Sequence, residues 1–171
     1  MFSGREPRGV IETQCIVHYS SPNSGQGNAR APNQTGMARQ TSSIQKPRSL
    51  IAVIDDDCSV LTSLARLLRS AGYAAIAFGS AQEFLDSLKA TSPQCLVIDV
   101  QMPEMTGFEL QSRLRELRCT VPIIFITAHD SPATRAIISQ TGTGLLTKPF
   151  KGAALLTAID KVVAQTARRR F

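Results

Sequence analysis

Six side chains stand out for what they could do together. They are Asp55, Asp56 and Asp57 in the run IDDD, Asp99 closing CLVID, Thr127 closing PIIFIT, and Lys148 just after LLT. Three or more carboxylates brought to one place repel one another and stay ionised only if a cation joins them. Hard carboxylate oxygens that leave positions open suit Mg²⁺, which keeps waters and binds phosphate oxygens as well. A lysine adds a second positive point, and a threonine hydroxyl adds a hydrogen-bond donor. Such a set can stabilise a phosphoryl group on one carboxylate, because it neutralises charge on the transferring oxygens.

That chemistry requires the six to converge, so the elements carrying them matter. Leu50–Ile54 is a compact apolar run ending on the acidic triplet. Val60–Ala71 puts Leu61, Leu64, Leu67 and Leu68 on one helical face, with Gly72 as a stop. Ala74–Phe78 is a second, weaker strand, and Ser80–Glu83 is a capping-box pattern opening a helix over Ala81–Ala90. Cys95–Asp99 is again an apolar run ending in a carboxylate. Thr106–Glu109 caps a helix with Leu110, Leu114 and Leu117 on one stripe. Pro122–Thr127, β-branched and aromatic, is the strongest strand. Ser131-Pro132 opens a helix to about Gln140, Gly144–Thr147 is a short fifth strand, and Lys151–Arg168 closes with Leu155, Ile159, Val162 and Val163 at helical spacing.

Continuously apolar strands alternating with amphipathic helices predict an α/β fold. The form expected is (βα)₅, a three-layer sandwich around a five-stranded parallel sheet. Ligands of such folds bind beyond the carboxyl ends of the strands, where all six residues fall. Each also has a plain structural reading. An Asp after a strand commonly turns the chain or caps a helix, and Asp57, just before the first helix, suits that best. Thr127 alone would be a strand-end hydroxyl and Lys148 alone a solvated rim charge. Their joint occurrence, in order and at matched strand ends, favours a common site.

Composition bounds the alternatives. The chain has 171 residues, 43% hydrophobic and 19% charged, enough for one domain and a tail. No run of about 18 uncharged apolar residues exists to span a membrane, and Glu12, Gln14 and His18 interrupt any secretory signal. The expectation is cytoplasmic. Of the net +6, residues 1–48 carry +4 and Arg168–Arg170 carry +3, which leaves −1 on residues 49–167. The excess lies on the ends, where basic charge more often solubilises than recognises DNA. Residues 1–48 are expected to be a disordered tail, with Ser20–Met37 Ser/Asn/Gly/Pro/Gln-rich and almost nothing in it to bury; Met37 is a candidate translation start. Residues 49–167 form the domain and 168–171 a basic end. Cys15, Cys58, Cys95 and Cys119 include no C-x-x-C pair, so no zinc site is expected. Cys58 and Cys95 lie in apolar runs and read as small buried hydrophobes of a reduced compartment.

The runs IAVIDDD, CLVIDVQMPEMTGFEL, PIIFITAHD and LLTKPF, taken in order over about 49–164, resemble the receiver domain of two-component response regulators. The closest likeness is to the subgroup fused to transcriptional activators of the nitrogen-fixation type. The resemblance implies a flavodoxin-like fold and a phosphorelay role. Asp99 would be the phosphoacceptor, attacking the phosphohistidine of a sensor histidine kinase. Asp56 and Asp99, with the backbone carbonyl of Gln101, would ligate Mg²⁺, and Asp55 would act through a metal-bound water. Thr127 and Lys148 would each hold a phosphoryl oxygen, Lys148-Pro149 would be a cis peptide, and Met102-Pro103 and Gly107 would shape the loop over the acceptor. The resemblance also implies slow autodephosphorylation rather than enzymatic turnover, and a protein-binding face that switches toward an unknown downstream protein.

Two departures accompany the resemblance. Gly142 stands six residues before Lys148, where the family starts a Gly-Ala pair seven before. Leu145 stands where the family commonly has Tyr or Phe, which puts the aromatic half of the usual switch in question. His129 reads as a loop residue. The sequence ends at Phe171 soon after the fifth helix, so no DNA-binding output domain is expected. The alternative is a receiver-fold interaction module that is not phosphorylated.

Overall fold

A strand covered on both faces needs an unbroken apolar run, and the runs read above become the sheet. The computed structural model describes residues 49–129, 131–141 and 144–168. The strands are β1 (Leu50–Ile54), β2 (Ala74–Phe78), β3 (Cys95–Asp99), β4 (Ile123–Thr127) and β5 (Gly144–Thr147). They alternate with α1 (Cys58–Ser70), α2 (Ala81–Ser87), α3 (Gly107–Glu116), α4 (Pro132–Thr141) and α5 (Gly152–Arg168). All pairings are parallel, in the order β2-β1-β3-β4-β5. This is the (βα)₅ flavodoxin-like sandwich expected. The tail through residue 48, Gly142 and the end from Arg169 lie outside the described residues.

The strand period of two divides the core into two layers. Ile51, Val53, Cys95, Val97, Ile124 and Ile126 face α1 and α5, where Leu61, Leu64, Leu68, Leu155 and Ile159 meet them. Ala52, Ile54, Leu96, Ile98, Ile123 and Phe125 face the other way, against Phe84 of α2, Leu110 and Leu114 of α3, and Ile138 of α4. Full burial of a side chain of this size contributes roughly 1.5–3 kcal/mol. Among the described residues no helix is long and apolar enough to cross a membrane.

Helix ends follow local chemistry. Asp57 caps α1 by accepting from the N–H groups of Ser59 and Val60, as its position suggested. α1 then closes in a Schellman turn on Gly72 (φ 85°), with Tyr73 N–H on the Leu68 carbonyl and Gly72 N–H on that of Arg69. α3 opens with the full capping box of Thr106 and Glu109. It closes in the same turn, with Arg118 (φ 56°) in the glycine position.

Several expectations are corrected. α2 stops at Ser87 rather than Ala90, where Ser87 Oγ bonds the Phe84 carbonyl and Thr91 Oγ1 bonds that of Ser87, competing with the helix ladder. Only half of its capping box forms: Ser80 accepts from Glu83 N–H, but the Glu83 carboxylate reaches back to Gly79 N–H. Leu117 is the C-cap of α3 and 60% exposed, because the helix ends before its stripe continues. Cys95 and Cys119 are free thiols, whereas Cys58 is half-buried and disulfide-bonded rather than a small core hydrophobe.

Candidate functional site

The order β2-β1-β3 makes β1 and β3 the point where the chain's winding reverses, the usual ligand crevice of an open parallel sheet. Ile54 pairs with Ile98, so the next residues along, Asp55 and Asp99, leave the two strands side by side. Both are buried, at 2% and 5% exposure. Asp55 Oδ1 accepts the N–H of Asp57 at 2.9 Å, and Asp99 Oδ2 accepts the N–H of Gln101 at 2.7 Å. These i to i+2 bonds are Asx turns, which bend the chain off the sheet and leave one oxygen of each carboxylate facing the crevice.

Lys148 fills the space between those oxygens. Its Nζ donates to Asp55 Oδ2 at 3.0 Å and to Asp99 Oδ1 at 2.7 Å. The lysine is placed by β5: its N–H donates to the Thr127 carbonyl at 2.8 Å, and the Lys148–Pro149 peptide is cis. One ammonium thus serves two buried carboxylates and leaves the trio with a residual negative charge.

Burial pushes the Asp55 carboxyl above its ordinary pKa; the bond from Asp57 N–H and the nearby Lys148 oppose this without cancelling it. On Lys148, partial burial favours the neutral amine, but the hydrogen bonds to Asp99 and Asp55 outweigh it and raise the pKa. The ammonium therefore stays charged throughout the physiological range.

The other sequence candidates lie at the same edge with different partners. Thr127 is 1% exposed. Its hydroxyl donates to the His129 carbonyl at 3.0 Å and accepts from His129 N–H at 3.1 Å, so it is tied to its own loop rather than to a carboxylate. Asp56 and Gln101 are exposed. Among the described residues no three His, Cys, Asp or Glu side chains gather as a metal-holding group. The convergent core is Asp55, Asp99 and Lys148.

Gly107 brings the loop after β3 back onto the site. Its N–H donates to the Val100 carbonyl at 3.1 Å, and a Cβ there would stand 2.5 Å from the Asp99 carbonyl oxygen and 3.0 Å from Ile98. No residue larger than glycine fits so near the backbone of Asp99. The intervening chain includes buried Met102 and Glu104 at φ 63°.

Sequence reasoning passed over three contributors, the N–H groups of Asp57 and Gln101 and the His129 backbone. Each lies two residues beyond an Asp or Thr. That spacing is the available signal, since short polar side chains commonly bond the backbone two residues on.

The sequence model of the response regulator receiver domain family matches residues 51–160. Nodulation protein W of Bradyrhizobium diazoefficiens is 41% identical over 124 residues, 72% of this chain and 53% of that protein. Response regulator protein TodT of Pseudomonas putida is 37% identical over 140 residues, 81% of this chain and 60% of that one. This chain therefore spans little more than half the length of the curated relatives it matches. Among solved structures, a response regulator receiver protein from Burkholderia phymatum superposes with a TM-score of 0.61 at 41% identity, covering 68% of this chain and 96% of that one.

Proposed function

This chain belongs to the response regulator receiver family, and from that premise we propose that residues 49–167 act as a phosphoacceptor in a two-component phosphorelay. Asp99 takes the phosphoryl group from the phosphohistidine of a sensor histidine kinase. A carboxylate oxygen of Asp99 bonds to phosphorus as the phosphorus–nitrogen bond breaks, and the electron pair leaves with the imidazole. The observation that carries this reading is the double hydrogen bond from Lys148 to Asp55 and Asp99. It holds an acceptor carboxylate, a second acid and a fixed cation within one crevice.

The donor set fits a hard divalent cation. Asp55 and Asp99 offer carboxylate oxygens that each accept one hydrogen bond, and the trio carries an uncompensated negative charge. Mg²⁺ retains several waters and needs only one or two carboxylates. Asp56, Asp99 and the Gln101 carbonyl would hold it, with Asp55 acting through water. Such an ion, when bound, offsets charge on the transferring oxygens. Lys148 pairs with a second phosphoryl oxygen.

Thr127 must change partners to take part. Its hydroxyl gives up the His129 carbonyl to reach a phosphoryl oxygen, and the connection between β4 and α4 loses two of its bonds to that side chain. That exchange converts a change at Asp99 into a change on the α4 side, which a downstream protein reads. The relay operates in the cytoplasm, and the aspartyl phosphate is lost by slow autodephosphorylation.

Incubation of the full chain with acetyl phosphate and Mg²⁺, read by intact mass, tests the reading. A gain of one phosphoryl group that Asp99→Asn abolishes supports it. No gain, or a gain indifferent to Asp99→Asn, moves the chain to the interaction-only alternative.

A further inference from the structure

The last turn of α3 presents a surface that phosphoryl transfer does not use. Among the described residues its C-cap, Leu117, is the one large hydrophobic side chain left exposed. Three exposed arginines surround it, Arg113 and Arg115 in the last turn and Arg118 just past the cap. Arg113 shares a solvent-exposed ion pair with Glu116 at 3.1 Å. The side chains of Arg115 and Arg118 have no hydrogen-bond or ion-pair partner among the described residues. Three arginines against one glutamate leave residues 113–118 at +2, in a domain whose residues 49–167 sum to −1.

We propose that this end of α3 docks an acidic segment of another protein, which seats Leu117 in an apolar socket and sets carboxylates against Arg115 and Arg118. An apolar centre rimmed by charge is the usual build of a protein interface, and the arginine fork matches a carboxylate in two bonds at once. The helix dipole accounts for cations at Arg113 and Arg115, but Arg118 lies beyond the helix. There its N–H bonds the Arg115 carbonyl, and its backbone sits at φ 56°, where glycine would be relaxed. An arginine held under strain at an exposed turn points to a use for its side chain. Nucleic acid fits less well, because a phosphate backbone gives Leu117 no socket and is repelled by Glu116. A second copy of this chain fits less well again. A twofold axis through the surface would set the arginines against one another.

The place of this surface in the fold says what such docking does. α3 starts at Gly107, packed against the backbone of Asp99, and its ten residues carry Leu117 roughly 15 Å away. The chain then turns at Arg118 and Cys119 into β4, at the edge of the sheet opposite the crevice. A partner bound there leaves the crevice open to a phosphodonor. The surface is an anchor that holds whether or not Asp99 is phosphorylated.

Panning a phage library of random short peptides against the full chain tests the proposal, with the triple variant Arg115→Glu, Leu117→Ser, Arg118→Glu as counter-selection. Peptides that place Asp or Glu around an apolar residue should be enriched on the chain and lost on the variant. Synthesised and labelled, they should bind the chain in fluorescence anisotropy and release it as salt is raised. Arg115→Gln and Leu117→Ser should each weaken them by at least about fivefold. Arg118→Gly separates docking from folding: it keeps the turn, so it should raise the melting temperature while weakening the peptides to a similar degree. Failure to enrich acidic peptides, or binding indifferent to these substitutions, overturns the proposal. So does a surface that prefers a DNA duplex or phosphatidylglycerol vesicles to the peptides, or a dimer of the chain that the triple variant breaks. None of these readouts uses phosphate, so they stand apart from the test of Asp99.

Discussion

Lys148 and Asp99, separated by 49 positions in sequence, are joined Nζ to Oδ1 at 2.7 Å, and the same ammonium reaches Asp55 at 3.0 Å. Lys148→Ala leaves two buried carboxylates without their cation. The expected loss of stability at neutral pH is about 2 kcal/mol, less than the 3–5 kcal/mol of a fully buried pair, because the lysine side chain is 29% exposed to screening water. Urea unfolding should show the loss shrinking in acid, where the Asp55 carboxyl, its pKa raised by burial, is protonated. The wild-type contribution of Lys148 is complete below 10.5 and is lost as pH rises through its raised folded value.

Asp55 titrates with the opposite consequence from a surface-paired carboxylate. Its folded pKa is raised by burial, so the folded state holds the proton more tightly than the unfolded chain does. The resulting stability is full below 3.8 and is lost as pH rises through the raised folded value. Asp55→Asn removes this titration. Unfolding free energies measured across that window should therefore shift in favour of the variant as pH rises; a shift toward wild type contradicts the assignment.

Gly107→Ala places a methyl 2.5 Å from the Asp99 carbonyl oxygen. Strand backbone cannot yield cheaply, so the loop must, at an expected cost of roughly 1–3 kcal/mol. Phosphorylation by acetyl phosphate should slow in the same variant. Unchanged melting and unchanged rate together would show that the loop after β3 has room to spare.

Arg118 occupies the glycine position of a Schellman turn at φ 56°. A left-handed conformation costs an L-residue roughly 1–2 kcal/mol, and glycine's extra freedom in the unfolded chain returns roughly 0.5–1 kcal/mol of that. Arg118→Gly should therefore stabilise the protein by up to about 1 kcal/mol in chemical denaturation, without altering phosphate uptake. Destabilisation would mean that the arginine side chain contributes packing that outweighs the strain.

The legible part of this fold was what period and order encode. Apolar runs located all five strands, and the Asp, Thr and Lys at the ends of four of them located the crevice. Asp57 was readable as a cap because its place before α1 leaves it little else to do. What escaped depends on competition or on distance. The early end of α2 comes from the hydroxyls of Ser87 and Thr91 contending with the backbone. Arg118 gave no warning, since nothing in its type marks a left-handed turn. The Thr127 hydroxyl lies at the strand end that the sequence predicts, and its bonds to the loop two residues on have only that spacing as a signal. The open pocket between α1 and the start of α5 joins residues about ninety positions apart, Ser59 and Gly152 among them, and no local pattern signals that.

Borohydride trapping tests the central claim most directly. An aspartyl phosphate is an acyl phosphate, which borohydride reduces to homoserine, and peptide sequencing by mass then reports the position. After treatment with a small phosphodonor and Mg²⁺, the account predicts homoserine at position 99 alone, absent without the donor. Phosphate retained on a serine, threonine or histidine, or homoserine at Asp55 or Asp56 instead, would contradict it.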